Sequence, residues 1–249
     1  MNDFSRTHVG APSMDMSIDA GLRSYMLGIY NLMTIGLLVT AGAAILSAQL
    51  FFVGIGTESF GVTPLGNTVF NSPLKWLVML APLGMVMLIS FRLNKLSHSM
   101  ARILFYVFAG LMGISLSSII AVYTAGSIAN TFFVTAAAFA ALSLYGYTTK
   151  RNLTGMGSFL IMGLFGIILA SIVNIFLASS AMEFAISAIG VLIFAGLTAY
   201  DTQRLKISYY EYGGTPDVAA KMKIHGALSL YLDFINMFLF LLRFMGNRN

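Results

Sequence analysis

The sequence predicts an all-α polytopic membrane protein with seven transmembrane helices, of which the seventh lies at the centre. The 249 residues are 58% hydrophobic and 9% charged, whereas a soluble domain contains about 25% charged residues. Long apolar stretches recur along the chain, and basic residues collect in alternate gaps between them. The last stretch carries a polar stripe, which has to face protein or water rather than lipid.

The N-terminal residues 1–23 are polar and include Asp3, Asp15 and Asp19. They lack the basic start and the short apolar core of a secretory signal peptide. We therefore expect residues 1–23 to form a flexible cytoplasmic tail and residues 24–249 to form the transmembrane domain.

Seven segments are apolar enough for spanning helices, each of which needs about 20 predominantly apolar residues. The third and fourth share one uncharged stretch, in which residues 124–130 are the predicted turn. The predicted spans are 27–53, 74–91, 103–124, 130–147, 157–178, 184–201 and 227–243.

The distribution of basic residues predicts that the N-terminus is cytoplasmic. The gaps after the second, fourth and sixth segments contain most of the lysines and arginines, whereas the alternate gaps contain only Lys75. Seven crossings then place the C-terminus outside. Arg243 and Arg248 argue against the last crossing and leave a re-entrant segment as the alternative, although we favour a true span.

A shift of 53 residues aligns residues 103–151 with residues 156–204. Both copies would start on the same side of the membrane, so the match predicts a parallel internal repeat. The aligned position that changes in chemistry is Thr148, which corresponds to Asp201.

Asp201 ends the sixth apolar segment and Asp233 lies inside the seventh. A carboxylate at membrane depth costs a few kcal/mol, so it is usually functional and partnered. We therefore predict that the two side chains form a buried acid pair. The alternatives are that Asp201 faces cytoplasmic water at a helix end and that Asp233 makes a structural hydrogen bond.

The seventh segment carries Ser229, Asp233, Asn236 and Arg243 on one helical stripe, which predicts a central position in the bundle. Arg92, at the end of the second segment, is the candidate cation for the acid pair. The alternative for Arg92 is an ordinary positive-inside loop residue.

Two carboxylates in a weakly solvated site titrate as a coupled unit, because both cannot ionise cheaply. An arginine nearby stays charged, so protonation of the pair would weaken its hold on the arginine and produce a pH-dependent latch. The ionised pair would also suit Ca²⁺, which prefers oxygen ligands. Protons and Ca²⁺ would then compete for the same oxygens.

Three stretches carry a family resemblance. They read LTAYDTQRLK over residues 197–206, LYLDFINMFLFLLR over residues 230–243 and SLYGYTTK over residues 143–150. The chain after Arg23 resembles the Bax inhibitor-1 (transmembrane Bax inhibitor motif) family, in particular its proteobacterial inner-membrane members. One departure is visible, since the segment between the two acids, residues 202–232, is longer than in compact members.

The resemblance implies a seven-helix fold with a central last helix and a pH-sensitive calcium leak. It places the family's paired aspartates at Asp201 and Asp233. Arg92 is the candidate for its latch arginine, although no motif fixes that alignment. It also implies an alternative function, regulation of a membrane-anchored ATP-dependent protease, with residues 1–23 as the segment that such a machine would grip.

An enzyme is not expected. Aspartates on the sixth and seventh helices are typical of intramembrane aspartyl proteases, but Tyr231-Leu232 precedes Asp233 where those enzymes need Gly-x-Gly. The chain has no cysteine and no cofactor motif, and its basic residues are spread over short loops, so we expect no cofactor beyond transient Ca²⁺ and no nucleic-acid partner. The expected partners are the lipid bilayer, protons and Ca²⁺.

Overall fold

The structure, a computed structural model, describes residues 13–212 and 216–248 and is almost entirely helical. Seven of its eight described α-helices are long and apolar enough to cross a bilayer, which confirms the predicted all-α polytopic fold. The described elements are α1 (Ser13–Phe51), β1 (Phe52–Val53), β2 (Gly61–Val62), α2 (Pro64–Phe70), α3 (Leu74–Arg92), a 3₁₀ turn (Leu93–Lys95), α4 (His98–Val122), α5 (Ala125–Thr148), α6 (Thr154–Leu177), α7 (Ser180–Tyr212) and α8 (Pro216–Met245).

The segment between α1 and α3 is more structured than the sequence predicted. β1 and β2 form a short antiparallel hairpin in which Phe52 pairs with Val62. The short helix α2 follows, and the Thr63 side chain accepts a hydrogen bond from the Gly66 amide at its N-terminus. The ring of Phe52 stacks on Phe70, so this connection packs against itself.

The predicted flexible tail is wrong in its second half. α1 begins at Ser13, and Leu22 is buried in the core. The helix starts before the apolar stretch because a spanning helix can continue through polar residues into the water beyond the bilayer. The prediction for residues 1–12 lies outside the described residues.

The predicted long loop between the two acids is mostly helix. α7 continues to Tyr212 and α8 begins at Pro216, so the two helices extend as a pair beyond the apolar segments. The ring of Tyr25 on α1 packs on Tyr209, 5.2 Å between centroids, and Ile224 is fully buried. Hydropathy alone missed this extension because α7 and α8 are held there by packing against α1 rather than by lipid.

α8 lies at the centre of the bundle, as predicted for the seventh span. Half of its most apolar stretch is buried within the protein, compared with 6% for α6. It packs against α1, α4, α5 and α7. The Tyr231 hydroxyl bonds to the Thr40 hydroxyl of α1 at 2.6 Å, and Thr40 donates to the Ala109 carbonyl of α4 at 2.9 Å, so one polar chain ties three helices together.

α8 runs the whole length of the bundle, which favours a true span over a re-entrant segment. Its C-terminal residues reach the turn between α4 and α5, where Tyr123 and Arg248 form an antiparallel bridge. Arg248 also pairs with Glu183 at the start of α7, at 3.4 Å. At the other end of the bundle, α7 ends and α8 begins. Most of the described lysines and arginines lie there, and we call it the basic end.

The turn between the third and fourth spans is shorter than predicted. α4 ends at Val122 and α5 begins at Ala125, since the Thr124 side chain accepts a hydrogen bond from the Ser127 amide and caps α5. Under the 53-residue shift, α6 and α7 start within three residues of the positions equivalent to the starts of α4 and α5. α4 packs mainly on α1 whereas α6 packs on α7, and the internal duplication stays a prediction.

Candidate functional site: an acid pair in a cleft between α6, α7 and α8

Hydrogen bonds fix the C-terminal half of α7 against α5 and against the turn between α5 and α6. The Gln203 side chain accepts from the Leu153 amide at 2.9 Å and donates to the Arg151 carbonyl at 2.7 Å. On another face of α7, the Thr202 hydroxyl bonds to Ser143 of α5 at 3.0 Å. These bonds set the depth and rotation of Asp201, which directly precedes Thr202 and Gln203 on α7.

Close helix packing brings α7 against α5 and α6 at the same level. A methyl group at Gly146 of α5 would overlap the Ala199 carbonyl oxygen, and one at Gly157 of α6 would overlap the Tyr200 ring. Small residues at such crossings let backbones approach closely in a membrane. α7 is therefore held on both sides next to Asp201.

Asp201 is buried and paired with a cation from its own helix. The residue is only 8% exposed, and its Oδ1 lies 3.3 Å from an Arg204 Nη. The same guanidinium group donates to the Ser229 hydroxyl of α8 at 3.2 Å. Arg204 therefore links the Asp201 carboxylate on α7 to α8.

Asp233 is buried on α8 without a matching partner. It is 5% exposed, and within residues 13–212 and 216–248 its Oδ2 atom has no hydrogen-bond partner. The charges of Asp201 and Arg204 both act on it electrostatically. Most buried polar atoms in proteins are hydrogen-bonded, so an unpartnered carboxylate oxygen at this depth calls for a functional explanation.

Both carboxyl groups line one cleft of about 690 Å³. α7 and α8 supply its polar side, whereas α6 supplies a wall from Ile161 to Ile175 that is apolar apart from Ser171. A second cavity, of about 390 Å³, lies toward the basic end and is lined in part by Asp217 and Lys221. Arg204 and His225 line both cavities and so separate them.

Sequence comparison identifies the family of this chain. The family profile described as "Inhibitor of apoptosis-promoting Bax1" matches residues 22–249, which is nearly the whole chain. The chain belongs to the Bax inhibitor-1 family. Both aspartates, Arg204 and the cleft that they line fall within the matched residues.

Full-length bacterial relatives support the assignment to the Bax inhibitor-1 family. A Caulobacter vibrioides protein is 48% identical over 99% of this chain and 98% of its own length. The inner membrane protein YbhL of Escherichia coli is 49% identical over 92% of this chain and 94% of its own length. A Rickettsia prowazekii protein is 45% identical over 100% of this chain and 99% of its own length.

The structure of this Bax inhibitor-1 protein brings together some of the predicted site residues and not others. Asp201, Ser229, Asp233 and Asn236 line the same cleft. The Asn236 side chain donates to the Leu232 carbonyl of its own helix at 2.8 Å.

The two predicted arginines lie away from the acid cleft. Arg243 is exposed near the opposite end of α8, with its guanidinium 5.9 Å from the Phe240 ring centroid. Arg92 is exposed at the end of α3, and no ion pair within 4 Å joins it to any acidic residue in the described part of the chain. In this conformation Arg204 occupies the position beside Asp201 that the sequence argument gave to Arg92, whose latch role stays a prediction.

Sequence reasoning missed Arg204 and His225. Both were assigned to a cytoplasmic loop, because the apolar stretch ends at Asp201 and the next begins at Ala227. The signal that could have found Arg204 is its spacing, since residues three apart on a helix lie on the same face and form ion pairs. No comparable signal in the sequence places His225 beside Asp201.

Proposed function

We propose that this protein is a pH-sensitive cation leak that passes Ca²⁺ through the cleft containing Asp201 and Asp233. The observation that carries the proposal is a buried carboxylate with an unpartnered oxygen beside a second carboxylate that is held by an arginine. The family assignment supports a membrane location, and the name of the Escherichia coli relative supports the inner membrane.

The charge distribution supports a cytoplasmic basic end. Among the lysines and arginines in the described part of the chain, only Lys75, Arg243 and Arg248 belong to the opposite end. Cytoplasmic ends of membrane proteins carry an excess of basic residues. The N-terminus and the turn between α7 and α8 would then both be cytoplasmic.

The ion path would run from the second cavity, which lies toward the basic end, past Arg204 and His225 into the acid cleft. Arg204 presents a fixed positive charge at this partition, which opposes cations as long as it stays in place. Farther along, the rings of Phe194 and Phe240 stack at 5.9 Å and line the apolar part of the cleft. In this proposal the structure would correspond to a closed state, with an electrostatic barrier at Arg204 and then an apolar barrier at the two rings.

The acid pair would bind Ca²⁺ only transiently. Ca²⁺ takes about six to eight oxygen ligands, whereas two carboxylates supply four oxygens at most. Within the described residues, no cluster of three or more His, Cys, Asp or Glu side chains could hold a metal ion. An ion that keeps part of its water shell can leave again, as conduction requires.

Acidification is expected to favour opening of the barrier. Protonation of Asp201 removes the negative charge that holds Arg204 3.3 Å away, so the guanidinium is freed from that carboxylate. The charged or titratable groups that face the pair are Arg204 on α7 and His225 on α8, whereas α6 contributes none.

The test is calcium flux into vesicles that contain the purified protein, measured across pH for Asp201→Asn and Asp233→Asn. We expect Asp201→Asn to raise flux at neutral pH and to flatten the pH response, because an amide cannot hold Arg204 by charge. We expect Asp233→Asn to lower flux, because an acidic ligand is lost. Unchanged flux and pH response in both variants would rule out the proposal.

Regulation of a membrane-anchored ATP-dependent protease is the second proposal. Because α1 begins at Ser13, the segment that such a protease could grip shortens from residues 1–23 to residues 1–12. Deletion of residues 1–12 should abolish co-purification with the protease and leave calcium flux intact. Association that survives the deletion would contradict this role for the segment.

Intramembrane proteolysis is less well supported than either proposal. Aspartyl proteases share one proton between two carboxyl groups, whereas here Arg204 pairs with one of them. Cleavage of a helical substrate by the wild-type protein, lost in Asp233→Asn, would contradict this view.

A further inference from the structure

The acid cleft opens sideways between α6 and α8, on the face that the bilayer covers. α7 forms its floor and packs closely on both α6 and α8, whereas α6 and α8 make little contact with each other. Residues on the cleft wall of α6 are partly exposed at the protein surface, with Ile168 at 45% and Ile172 at 49%. A membrane-dissolved molecule could therefore enter from the lipid without passing Arg204.

Polar and apolar groups are separated along this cleft. Three close contacts fix how α6 and α7 align, because Gly157 meets Tyr200, Leu160 meets Gly196 and Gly163 meets Ile193. Asp201 therefore lies level with the start of α6. The apolar wall from Ile161 to Ile175 extends away from it for about 21 Å at the rise of an α-helix.

The level of Asp233 follows from contacts between α7 and α8. Ser229 bonds to Arg204, and Phe240 fills the space beside Gly190. Asp233 lies between these two contacts and nearer to the first. Both acids therefore lie at the end of the cleft that is closer to the basic end, and the rest of the cleft is apolar apart from Asn236 and Ser171.

The polar end of the cleft suits a ligand that carries a single positive charge. Asp201 and Arg204 pair with each other, whereas Asp233 makes no ion pair within the described residues, so its ionised form would supply one uncompensated negative charge in the cleft. The carboxylate torsion of an aspartate is soft, so a small rotation presents either oxygen to the cleft. A divalent ion would need Arg204 to leave, whereas a monovalent ammonium group would not.

We propose that this cleft binds a lipophilic amine, with its ammonium group on Asp233 and its alkyl chain along the α6 wall between Ile161 and Ile175. The volume of about 690 Å³ falls within the usual range for small-molecule sites, about 300–1,000 Å³. A fatty acid fits less well, because its carboxylate would face Asp233. Binding would occupy the path described above, so inhibition of the leak rests on the proposed function, although binding itself does not.

The experiment uses dodecylamine with a photoreactive diazirine near the end of its chain, added to the full-length protein in lipid nanodiscs. Mass spectrometry maps the cross-links after illumination. We expect labelling on α6 between Ile161 and Ile175, at least about tenfold weaker in Asp233→Asn, as for the loss of a charge-assisted hydrogen bond. The matching diazirine alcohol has no positive charge and should label α6 no more than other lipid-facing helices.

A second variant separates loss of binding from loss of folding. Ile168→Trp keeps both acids but fills the cleft, so it should also abolish labelling on α6 while thermal unfolding shows an intact fold. Equal labelling by the amine and the alcohol, or labelling that neither variant reduces, would overturn the inference. Specific labelling without any calcium flux would instead contradict the proposed function and leave the amine site standing.

Discussion

Arg204→Gln is the change that most directly tests the closed state. In the structure, the Arg204 guanidinium lies 3.3 Å from an Asp201 oxygen and 3.2 Å from the Ser229 hydroxyl. The Arg204 side chain is 42% exposed, so solvent screens the ion pair. We expect the pair and the charged hydrogen bond together to stabilise the closed state by about 1–2 kcal/mol.

A difference of that size changes an equilibrium by about 5- to 30-fold. Calcium flux through Arg204→Gln at neutral pH should therefore exceed wild-type flux by about that factor. Its pH response should be flatter, because protonation of Asp201 no longer releases a bound cation. The measurement is initial calcium influx into vesicles with equal amounts of folded protein, over a series of pH values from acidic to neutral.

Arg92→Gln is the matched control, since it removes the same charge at the same end of the protein. Arg92 is exposed and makes no ion pair with an acidic residue that the structure describes, so flux and pH response should stay at wild-type values. The reverse result would refute this reasoning, namely calcium flux that rises in Arg92→Gln and stays at the wild-type value in Arg204→Gln. It would also favour the latch that the sequence resemblance implied.

Three further predictions concern stability, measured as thermal unfolding in detergent micelles. Gly146→Ala should destabilise the protein by about 1–3 kcal/mol, because the added methyl group meets an α7 carbonyl, whereas Gly166→Ala, with open space around it, should be neutral or slightly stabilising. Tyr231→Phe should cost about 0.5–1.5 kcal/mol through the lost hydrogen bond to α1. Gln203→Leu should cost about 1–3 kcal/mol or more, because the buried Leu153 amide loses its acceptor. Wild-type unfolding temperatures in all three destabilising variants would show that these contacts do not hold α7 and α8.

The sequence predicted the spans well and singled out the two acids, because each rests on a strong local signal. A long apolar stretch can hardly be anything but a spanning helix in a chain of this composition. Asp201 and Asp233 stand out because charge is costly at membrane depth. The central position of α8 followed from the stripe of Ser229, Asp233 and Asn236, and the structure places all three in one cleft.

The helix ends and the partner of Asp201 could not be predicted in the same way. Hydropathy reports contact with lipid, whereas the extensions of α7 and α8 are held by protein packing at Tyr209 and Ile224. Treating the residues after Asp201 as a loop removed the helical spacing that would have paired it with Arg204. The cation was then sought on another helix, although one lay a single turn away.

The position of Arg204 changes how a latch on this site would work. An ion pair between residues three apart on one helix cannot by itself hold two helices together, because both charges move with α7. Besides the packing of α7 on α8, the second bond of the same guanidinium group, to Ser229, ties this charge to α8. Protonation of Asp201 would leave Arg204 free to turn toward the second cavity, where Asp217, which pairs with Lys221 at 3.2 Å, offers another carboxylate. The barrier would then open through rotation of one side chain, and no displacement of α3 would be needed.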